Sequence, residues 1–239
     1  MPRFFTQKVT SDIIRITGED ANHIGRSLRM RIGDPLTICS EGKDHHCVIT
    51  NITADEVTLN VLSSELCAAE PTVNITLYQA VPKADKLGII IQKAVELGAI
   101  RIVPVLTKRC VARPAKKDFD KKLQRLQKIA ESAAKQSGRG IIPQVSSLID
   151  FDEAVAEMKC FDTAMLFYEE GGSRFGEISL ENSKNIAVFI GSEGGLDPNE
   201  AEKAKNAGIY NVWLGKRILR CETAPIAVIS VLMQLTGNM

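Results

Sequence analysis

From Pro71 to the C-terminus, short apolar stretches alternate with longer stretches in which apolar residues recur every three or four positions. The first pattern is typical of buried strands, and the second is typical of helices that pack on one face. This alternation predicts an α/β fold, in which helices cover both faces of a parallel sheet. The predicted strands are residues 73–80, 100–106, 162–167, 186–190 and 209–214, and the predicted helices are residues 87–97, 119–136, 146–158, 198–207 and 223–235.

The first 70 residues show a different pattern, because β-branched and apolar residues alternate with polar ones between turn signals. Strands are predicted at 12–16, 36–40, 46–52 and 57–62. One helix is predicted over 19–30, where Ile24 and Leu28 lie four positions apart. We therefore expect two domains, a small β-barrel with an inserted helix over residues 1–70 and the α/β domain over 71–239.

Composition excludes several classes of protein. With 239 residues, 44% of them hydrophobic, the chain is long enough to bury a core and too apolar for general disorder. We see no apolar run long enough to span a bilayer and no signal-peptide pattern, so we expect a cytoplasmic protein without a membrane partner. Six cysteines without a C-x-x-C pair favour reduced thiols. The run His45-His46-Cys47 has no second cluster to complete a ligand set, so we predict no metal.

The net charge of +1 conceals an asymmetry. Residues 71–150 hold 15 Lys and Arg against 6 Asp and Glu, whereas residues 151–215 hold 5 against 12. A basic block in a nearly neutral protein indicates a positive face that suits nucleic acid, although solvated helix faces would give the same counts. Within this block, Lys83 and Lys86 flank a predicted helix N-terminus capped by Asp85, which is a place suited to a phosphate.

Two glycine-bearing loops follow predicted strands near the C-terminus, and ligands gather at the carboxyl ends of parallel strands. The first loop contains Gly191, Gly194 and Gly195, and the second runs from Leu214 to Pro225, where Glu222 or Thr223 is expected to cap the last helix. The glycine spacing matches neither a P-loop nor a dinucleotide fingerprint, which argues against a nicotinamide-dependent oxidoreductase. A tight turn without a ligand is the alternative for each loop alone. All three histidines precede residue 47, so the second domain is expected to rely on a reactive cofactor and on positioning.

Four motifs in this order resemble the ribosomal RNA small subunit methyltransferase E family. They are Pro82-Lys83-x-Asp85-Lys86 with Gln92-Lys93-x-x-Glu96-Leu97-Gly98, the run Glu131 to Arg139, the run Phe189 to Glu200, and Leu214-Gly215-x-Arg217-Ile218-Leu219-Arg220-x-Glu222-Thr223-Ala224-Pro225. Arg3-Phe4-Phe5, His23, Leu28-Arg29 and Gly33-Asp34 extend the resemblance to the front of the chain. The sequence departs from the family at Ser192, Lys216 and Cys221, where Pro, Pro and Thr are common.

The resemblance implies a SPOUT-type α/β domain with a C-terminal trefoil knot, which is a rare exception to the rule that chains do not knot. It implies a PUA-like β-barrel that acts on RNA, a homodimer, and S-adenosylmethionine as cofactor. The implied reaction is methylation of N3 of a uridine in 16S rRNA within the 30S subunit. Two alternatives stay open: a SPOUT methyltransferase with a different RNA target or atom, and a non-catalytic RNA-binding ribosome assembly factor.

The resemblance also leads us to expect roles for individual residues. Arg220 is expected to stabilise negative charge on the uracil, and Glu222 or Glu193 is expected to accept its proton. The expected cofactor-binding residues are Leu166, Phe167, Gly191, Glu193, Gly194, Gly195, Leu214, Gly215, Ile218, Leu219, Thr223 and Ala224. The expected RNA-binding residues are Arg3, Arg26, Arg29, Arg31, Lys83, Lys86, Lys93 and Arg139, joined by Arg109 and Arg113 of the basic block.

Overall fold

The computed structural model describes all 239 residues, and the chain divides into two compact units. The first comprises Met1–Glu70 with Ala134–Ile142, and the second comprises Pro71–Ala133 with Pro143–Met239. Residues 134–142 thus group with the first unit, whereas a single boundary at residue 70 would leave them in the second domain. No helix combines the length and the hydropathy that crossing a membrane would require.

Five strands form the sheet of the first unit. They are β1 (Arg3–Phe5), β2 (Ile13–Thr17), β3 (Pro35–Ser40), β4 (Lys43–Ile52) and β5 (Glu56–Leu66), in the spatial order β1-β3-β4-β5-β2. β1 runs parallel to β3, and the other neighbours are antiparallel. The sheet forms a half-barrel around an apolar core that includes Ile24, Leu36 and Leu59. The four strands predicted here are confirmed; β1 has only three residues, too few to show an alternating pattern.

The helix predicted over residues 19–30 is wrong in its second half. A short α1 (Gly18–Asn22) is followed by a π-helical turn (His23–Ser27), in which the Leu28 N–H donates to the carbonyl five residues back at 2.9 Å. The wider turn rotates Leu28 away from the face of Ile24, so that Ile24 is buried and Leu28 is exposed. Arg29 then has a φ of 52°, in the left-handed region, and the helix ends there.

A buried ion pair joins the two segments of the first unit. The Arg139 side chain is only 2% exposed, and its Nε and Nη2 donate to the Glu70 carboxylate at 2.9 and 2.8 Å. The same carboxylate accepts the backbone N–H groups of Gly140 and Ile141 at 2.7 and 3.1 Å. Gly140 has no room for a side chain, because a Cβ there would lie 2.5 Å from the Cβ of Cys67. Glu70 therefore fixes residues 134–142 to the first 70.

Eight strands form the sheet of the second unit, and every pairing among them is parallel. They are β6 (Asn74–Ala80), β7 (Arg101–Leu106), β8 (Gln144–Val145), β9 (Ile149–Asp150), β10 (Thr163–Phe167), β11 (Ser173–Arg174), β12 (Asn185–Ile190) and β13 (Tyr210–Trp213). Their order is β11-β13-β10-β12-β6-β7-β8, and β9 also pairs with β7. The parallel sheet predicted from the alternating pattern is confirmed.

Four α-helices and one 3₁₀ turn (Phe175–Glu177) lie between these strands in the sequence, and a fifth helix follows the last strand. The helices are α2 (Lys86–Glu96), α3 (Lys116–Ser137), α4 (Phe151–Met158), α5 (Pro198–Asn206) and α6 (Thr223–Leu235). The helix predicted over 146–158 is wrong at its start, because β9 occupies part of that range. The Asp150 N–H donates to the Glu153 carboxylate at 2.8 Å, and this capping-box contact marks where α4 begins.

The carboxyl ends of five strands share one edge of the sheet. In spatial order β13, β10, β12, β6 and β7 end at Trp213, Phe167, Ile190, Ala80 and Leu106. Phe167 lies opposite both Val212 and Ile190, and Ile190 lies opposite Gln79. Because the strands are parallel and end at the same level, the loops that follow them lie side by side, where ligands of such sheets bind.

Glu70→Gln is expected to destabilise the first unit, because it takes the carboxylate away from the buried guanidinium of Arg139. Removing one partner of a buried ion pair costs about 3–5 kcal/mol, which urea unfolding followed by circular dichroism would show as a lower midpoint. The matched control is Glu65→Gln, which removes the exposed contact with His46 at 2.9 Å and should cost less than about 1 kcal/mol. Equal midpoints for the two variants would contradict the anchoring role of Glu70.

Candidate active site

Three loops meet through a single ammonium group at the carboxyl edge. Lys86 Nζ lies 3.1 Å from Oε1 of Glu193, in the loop after β12, and 3.0 Å from Oε2 of Glu222, in the segment after β13. The backbone N–H of Lys83, in the loop after β6, donates to both carboxylate oxygens of Glu193 at 3.2 and 3.1 Å. The side chains of the lysine and the two glutamates are each 25–29% exposed. Lys86 therefore holds two carboxylates together that would otherwise repel.

These contacts change the ionisation of all three groups. The hydrogen bond from Lys86, with smaller contributions from its own backbone N–H and the Cys221 thiol, lowers the pKa of Glu222 from 4.5 to about 2. Burial alone would raise the pKa of Glu193, but hydrogen bonds from its own backbone, the Lys83 backbone and Lys86 outweigh burial and lower this pKa. Hydrogen bonds to Glu222 and Glu193 raise the pKa of Lys86. All three groups are therefore charged at neutral pH.

Cys221 lies beside this cluster, at a position where threonine is common in the family that the sequence resembles. Its Sγ donates to Oε2 of Glu222 at 3.2 Å. Burial, together with the bond to Glu222, raises the pKa of the Cys221 thiol to about 12, so the sulfur keeps its proton. The thiol thus supplies the donor that a hydroxyl would supply there.

One side chain from β6 and one from the loop after β7 hold the backbone of the turn after β12. Gln79 Nε2 donates to the carbonyl of Gly191 at 3.2 Å, and Arg109 Nη1 donates to the carbonyl of Gly194 at 3.3 Å. In return, Ser192 Oγ donates to the carbonyl of Arg109 at 3.4 Å. The turn is therefore tied to β6 on one side and to the loop after β7 on the other.

Two glycines of this turn have no space for a side chain. A Cβ at Gly194 would lie 2.9 Å from the backbone carbonyl oxygen of Arg109. Gly195 has a φ of +66°, which strains any residue with a side chain, and a Cβ there would also meet the Glu169 carboxylate. Glycine is therefore needed for the backbone path at both positions, and the close approach of a ligand to this loop stays a prediction.

Two buried polar atoms without a hydrogen-bond partner lie near this edge, and they bear on whether a cofactor could bind there. The amide oxygens of Gln79 and Asn211 are buried without a partner, within two residues of the carboxyl ends of β6 and β13. Buried polar atoms normally find a partner, so such exceptions point to a ligand or to water. In the segment after β13, the backbone hydrogen bonds are confined to the Arg220 carbonyl, which accepts from the N–H groups of Thr223 and Ala224 at 2.8 and 2.9 Å. Unpaired polar groups beside glycine turns fit a nucleoside cofactor such as S-adenosylmethionine.

The structure brings most of the expected cofactor residues to the loops at this edge. Leu166 and Phe167 are buried at the end of β10, where the strand pairs with β12 on one side and β13 on the other. Ile218 is 86% exposed and covers no other part of the chain. The remaining members lie in the turn after β12, in the segment after β13 or in the first turn of α6: Gly191, Glu193, Gly194, Gly195, Leu214, Gly215, Leu219, Thr223 and Ala224.

Arg220 is exposed, and its guanidinium makes no hydrogen bond or ion pair within the chain. It lies two residues before Glu222, in the same segment between β13 and α6. The segment after β13 thus holds an exposed, unpaired cation and a carboxylate that Lys86 links to the turn after β12, and the catalytic role of both residues stays a prediction.

Asp85 and Glu222 stand at the N-cap positions of α2 and α6, as predicted. The prediction that their side chains would cap these helices is wrong. Neither side chain accepts a hydrogen bond from its helix. The Asp85 carboxylate instead lies 3.2 Å from Nη2 of Arg125, and the Glu222 carboxylate binds Lys86. In both cases a cation distant in sequence competes with the local backbone donors.

Three residues expected to bind RNA have other partners. The Arg139 expectation is wrong, because its buried guanidinium binds Glu70. Arg3 binds the Asp44 carboxylate, with Nη1 at 2.8 Å from Oδ1, inside the first unit. Lys86 is engaged by the two glutamates described above. None of these three side chains is free to contact a phosphate in this structure.

The other cations expected to bind RNA are on the surface. Arg26, Arg29 and Arg31 are exposed in the first unit. Lys83 is exposed in the second unit, and only its backbone N–H is used by Glu193. The further surface residues are Lys93, which pairs with Glu96 on α2 at 2.8 Å, and Arg109 and Arg113, which donate to backbone carbonyls.

The two histidines of β4 contact polar side chains of β5. His45 Nδ1 contacts Ser64 Oγ at 2.7 Å, and His46 Nε2 contacts Glu65 at 2.9 Å. No group of three or more His, Cys, Asp and Glu side chains is arranged to hold a metal ion.

Sequence reasoning missed Gln79 and assigned Arg109 only to RNA. Gln79 is fully buried in an apolar run from Leu77 to Val81, and its side chain supports the Gly191 carbonyl. An amide inside such a run was a readable signal, because a buried polar group needs a partner. Nothing local indicated that Arg109 would support the turn 85 residues away.

Comparisons with known proteins identify the family to which the chain is similar. A family model described as an RNA methyltransferase domain matches residues 69–233, and one described as an RNA methyltransferase PUA domain matches residues 16–62. The chain is 34% identical to ribosomal RNA small subunit methyltransferase E of Bacillus subtilis (strain 168), over 99% of this chain and 97% of the relative. It is 30% identical to the protein of that name from Mesomycoplasma hyopneumoniae (strain 232), over 96% and 98% of the two chains.

Solved structures show the same similarity. A ribosomal RNA small subunit methyltransferase E from Neisseria gonorrhoeae, bound to S-adenosyl methionine, matches with a TM-score of 0.89 and 33% identity over 98% of each chain. A methyltransferase from Legionella pneumophila, in complex with the same cofactor, matches with a TM-score of 0.86 and 27% identity over 98% of this chain and 97% of the other. With one family model covering most of the sequence and relatives that match along nearly their whole length, the chain belongs to the ribosomal RNA small subunit methyltransferase E family of RNA methyltransferases.

Proposed function

We propose that this protein methylates N3 of a uridine in 16S rRNA of the small ribosomal subunit. Its family makes the chain an S-adenosylmethionine-dependent rRNA methyltransferase. The observation that carries the finer proposal is that Arg220, unpaired and exposed, and Glu222, an ionised carboxylate, lie in one segment beside the glycine turns. The resemblance of the sequence further supports a homodimer, a C-terminal trefoil knot and an assembled 30S subunit in the cytoplasm as the setting.

The cofactor would be held by the loops after β10, β12 and β13. Bound S-adenosylmethionine supplies a methyl group activated by a sulfonium centre. Gly194 and Gly195 let the turn after β12 pack closely against Arg109 and Glu169, and the half-buried side chains of Leu214 and Leu219 offer apolar surface. The unpaired amide oxygen of Asn211 would accept from an amino or hydroxyl donor. These groups bind and orient, which is the main contribution of a protein to chemistry carried by a cofactor.

Glu222 is better placed than Glu193 to accept the proton of uracil N3. Lys86 and Cys221 both donate to Oε2 of Glu222, and no other residue donates to its Oε1. Both oxygens of Glu193 accept from Lys83 or Lys86. A carboxylate with a pKa of about 2 is a weak base, so the proton is expected to leave N3 only as N3 forms its new bond.

Arg220 would stabilise the negative charge that develops on the uracil. Its guanidinium has no partner in the chain, so no existing ion pair must be broken when the substrate arrives. A donor aimed at developing charge is usually a large single contribution to catalysis. Because N3 lies on the Watson–Crick edge, the base must be unpaired to reach these residues. The exposed arginines Arg26, Arg29 and Arg31 would contact phosphates of the same RNA.

The product of the reaction tests the proposed function. Incubating the protein with unmethylated 30S subunits and S-adenosylmethionine should yield 3-methyluridine, identified by mass spectrometry of the digested rRNA. A 2′-O-methylated nucleoside or another methylated base would show a different target atom. Failure to bind the cofactor in calorimetry, with retained binding of RNA, would instead indicate a non-catalytic assembly factor.

Gly194→Val is expected to abolish S-adenosylmethionine binding in calorimetry. The first carbon of the new side chain would already lie 2.9 Å from the Arg109 carbonyl oxygen, so the turn must move. The matched control is Gly176→Val, because a Cβ at Gly176 meets no heavy atom within 4 Å. Undiminished affinity in Gly194→Val would place the cofactor elsewhere.

Arg220→Ala is expected to reduce kcat by at least ~10²-fold, the range seen when one charge-stabilising donor is lost. Circular dichroism and cofactor affinity should stay unchanged, since Arg220 is exposed and its guanidinium makes no hydrogen bond or ion pair within the chain. Lys216→Ala is the control, because it removes a positive charge from the same exposed segment. Turnover in Arg220→Ala equal to that in Lys216→Ala would remove Arg220 from catalysis.

Lys86→Met is expected to return the pKa of Glu222 from about 2 towards 4.5, as measured by carboxyl ¹³C chemical shifts. Because folding lowers this pKa, the ion pair stabilises the protein above pH 4.5, and this stabilisation is lost as the pH falls towards 2. Lys93→Met, which removes a lysine paired with Glu96 on α2, should leave the pKa of Glu222 unchanged. A pKa that stays near 2 in Lys86→Met would assign the shift to other donors.

A further inference from the structure

A second cavity, of about 310 Å³, shares a wall with the active site. The loop after β6 supplies that wall: Val81, Pro82 and Ala84 line the cavity, whereas Lys83 and Lys86 bind Glu193. The apolar lining is completed by residues from α2, α3 and the loop between β7 and α3, namely Leu87, Gly88, Ala112, Pro114, Phe119 and Leu126. All of these residues belong to the second unit.

The rim of this cavity is positively charged and partly unpaired. Lys122 contacts no acceptor in the chain. Arg113 uses Nη1 to donate to the Thr107 carbonyl at 2.7 Å, and its Nε and Nη2 make no hydrogen bond. Arg125 is paired through Nη2 with Asp85, the one acidic residue that lines the cavity, at 3.2 Å. The rim therefore presents more positive than negative charge, and two of its cations have donors to spare.

The wall between the cavity and the active site is held in an unusual conformation. Ala84 has a φ of 54°, in the left-handed region that an L-residue with a Cβ seldom adopts. Its neighbours on both sides are fixed, Lys83 by the Glu193 carboxylate and Asp85 by Arg125. The surrounding contacts thus keep a backbone conformation that costs energy, which is common at ligand sites.

We propose that this cavity binds an unpaired nucleotide of the RNA substrate next to the target uridine, with the base against the apolar lining and the phosphate at Lys122 and Arg113. A flat apolar face joined to an anion matches an apolar cavity with a cationic rim. The inference rests on the proposed function, because exposing N3 of a uridine requires unstacked RNA around it. The shared wall places this nucleotide beside the residue being methylated.

Mononucleotides test the cavity directly, without any methyl transfer. In methyl NMR spectra of the full-length protein, uridine and adenosine 5′-monophosphates should shift the signals of Leu87 and Leu126 in a concentration-dependent way. Inorganic phosphate alone should not shift them. The proposal is overturned if no nucleotide shifts these signals, or if phosphate acts as strongly as the nucleotides do.

Substitutions at two neighbouring residues test the effect of filling the cavity, one as the test and one as its control. Ala112 lines the cavity, whereas Val111 does not line it and is 64% exposed. Ala112→Phe should abolish the nucleotide-induced shifts, and Val111→Phe should keep them. Shifts that persist in Ala112→Phe, once its circular dichroism matches that of the unchanged protein, would place the nucleotide elsewhere.

A second pair of variants, on α3, tests binding of the RNA substrate and leaves the volume of the cavity unfilled. Lys122→Ala should raise the KM for 30S subunits several-fold with kcat unchanged, because it removes a phosphate contact away from the reacting atoms. Lys128→Ala removes an exposed lysine that does not line the cavity and should leave KM unchanged. Equal KM values for the two variants would overturn the proposal. If 3-methyluridine forms but no nucleotide shifts the cavity signals, only this inference is wrong. If nucleotides bind in the cavity but no 3-methyluridine forms, only the proposed reaction is wrong.

Discussion

The parallel backbone ladders of β6, β12, β10 and β13 determine where the rest of the second unit lies. Because Phe167 pairs with Ile190 and Ile190 with Gln79, segments far apart in the sequence turn at the same level. This arrangement brings two carboxylates from different loops close together, and Lys86, the first residue of α2, makes that approach favourable. The sheet therefore sets the positions, and one ammonium group sets the electrostatic balance of the loops above it.

Sequence periodicity predicted the second unit well, because burial of apolar side chains determines both the pattern and the elements. The bounds of α6 match the prediction for this reason. The misses had other causes. A π-helical turn changed the phase of the helix that contains Ile24, which no burial pattern encodes. Asp85 and Glu222 were assigned as caps by local rules, but a cation 40 or 136 residues away in the sequence takes each carboxylate.

The charge asymmetry of the sequence was interpreted as a positive surface for nucleic acid. The structure shows that part of this positive charge is paired with carboxylates of the same chain. The basic block of residues 71–150 and the acidic block of residues 151–215 pair with each other inside the second unit. These pairs are Lys86–Glu193, Arg101–Glu157, Lys108–Asp197 and Lys116–Glu153, at 3.1, 3.0, 3.3 and 2.8 Å. Counting charges cannot show which of them are already neutralised. The cations left without partners, such as Lys83 and Lys122, are therefore a smaller and more informative set than the whole block.

The departures from the family pattern alter how the loops are held without removing their supports. Proline would stiffen the turn after β12 by fixing φ, whereas Ser192 supplies a side-chain hydrogen bond to the Arg109 carbonyl. Arg109 in turn donates to Gly194, so the serine belongs to a closed set of contacts. Cys221 likewise keeps a donor on Glu222 where a hydroxyl is common. In both places the side chain that departs from the family pattern supplies a hydrogen bond to a neighbouring loop residue, so each loop keeps a support of its own.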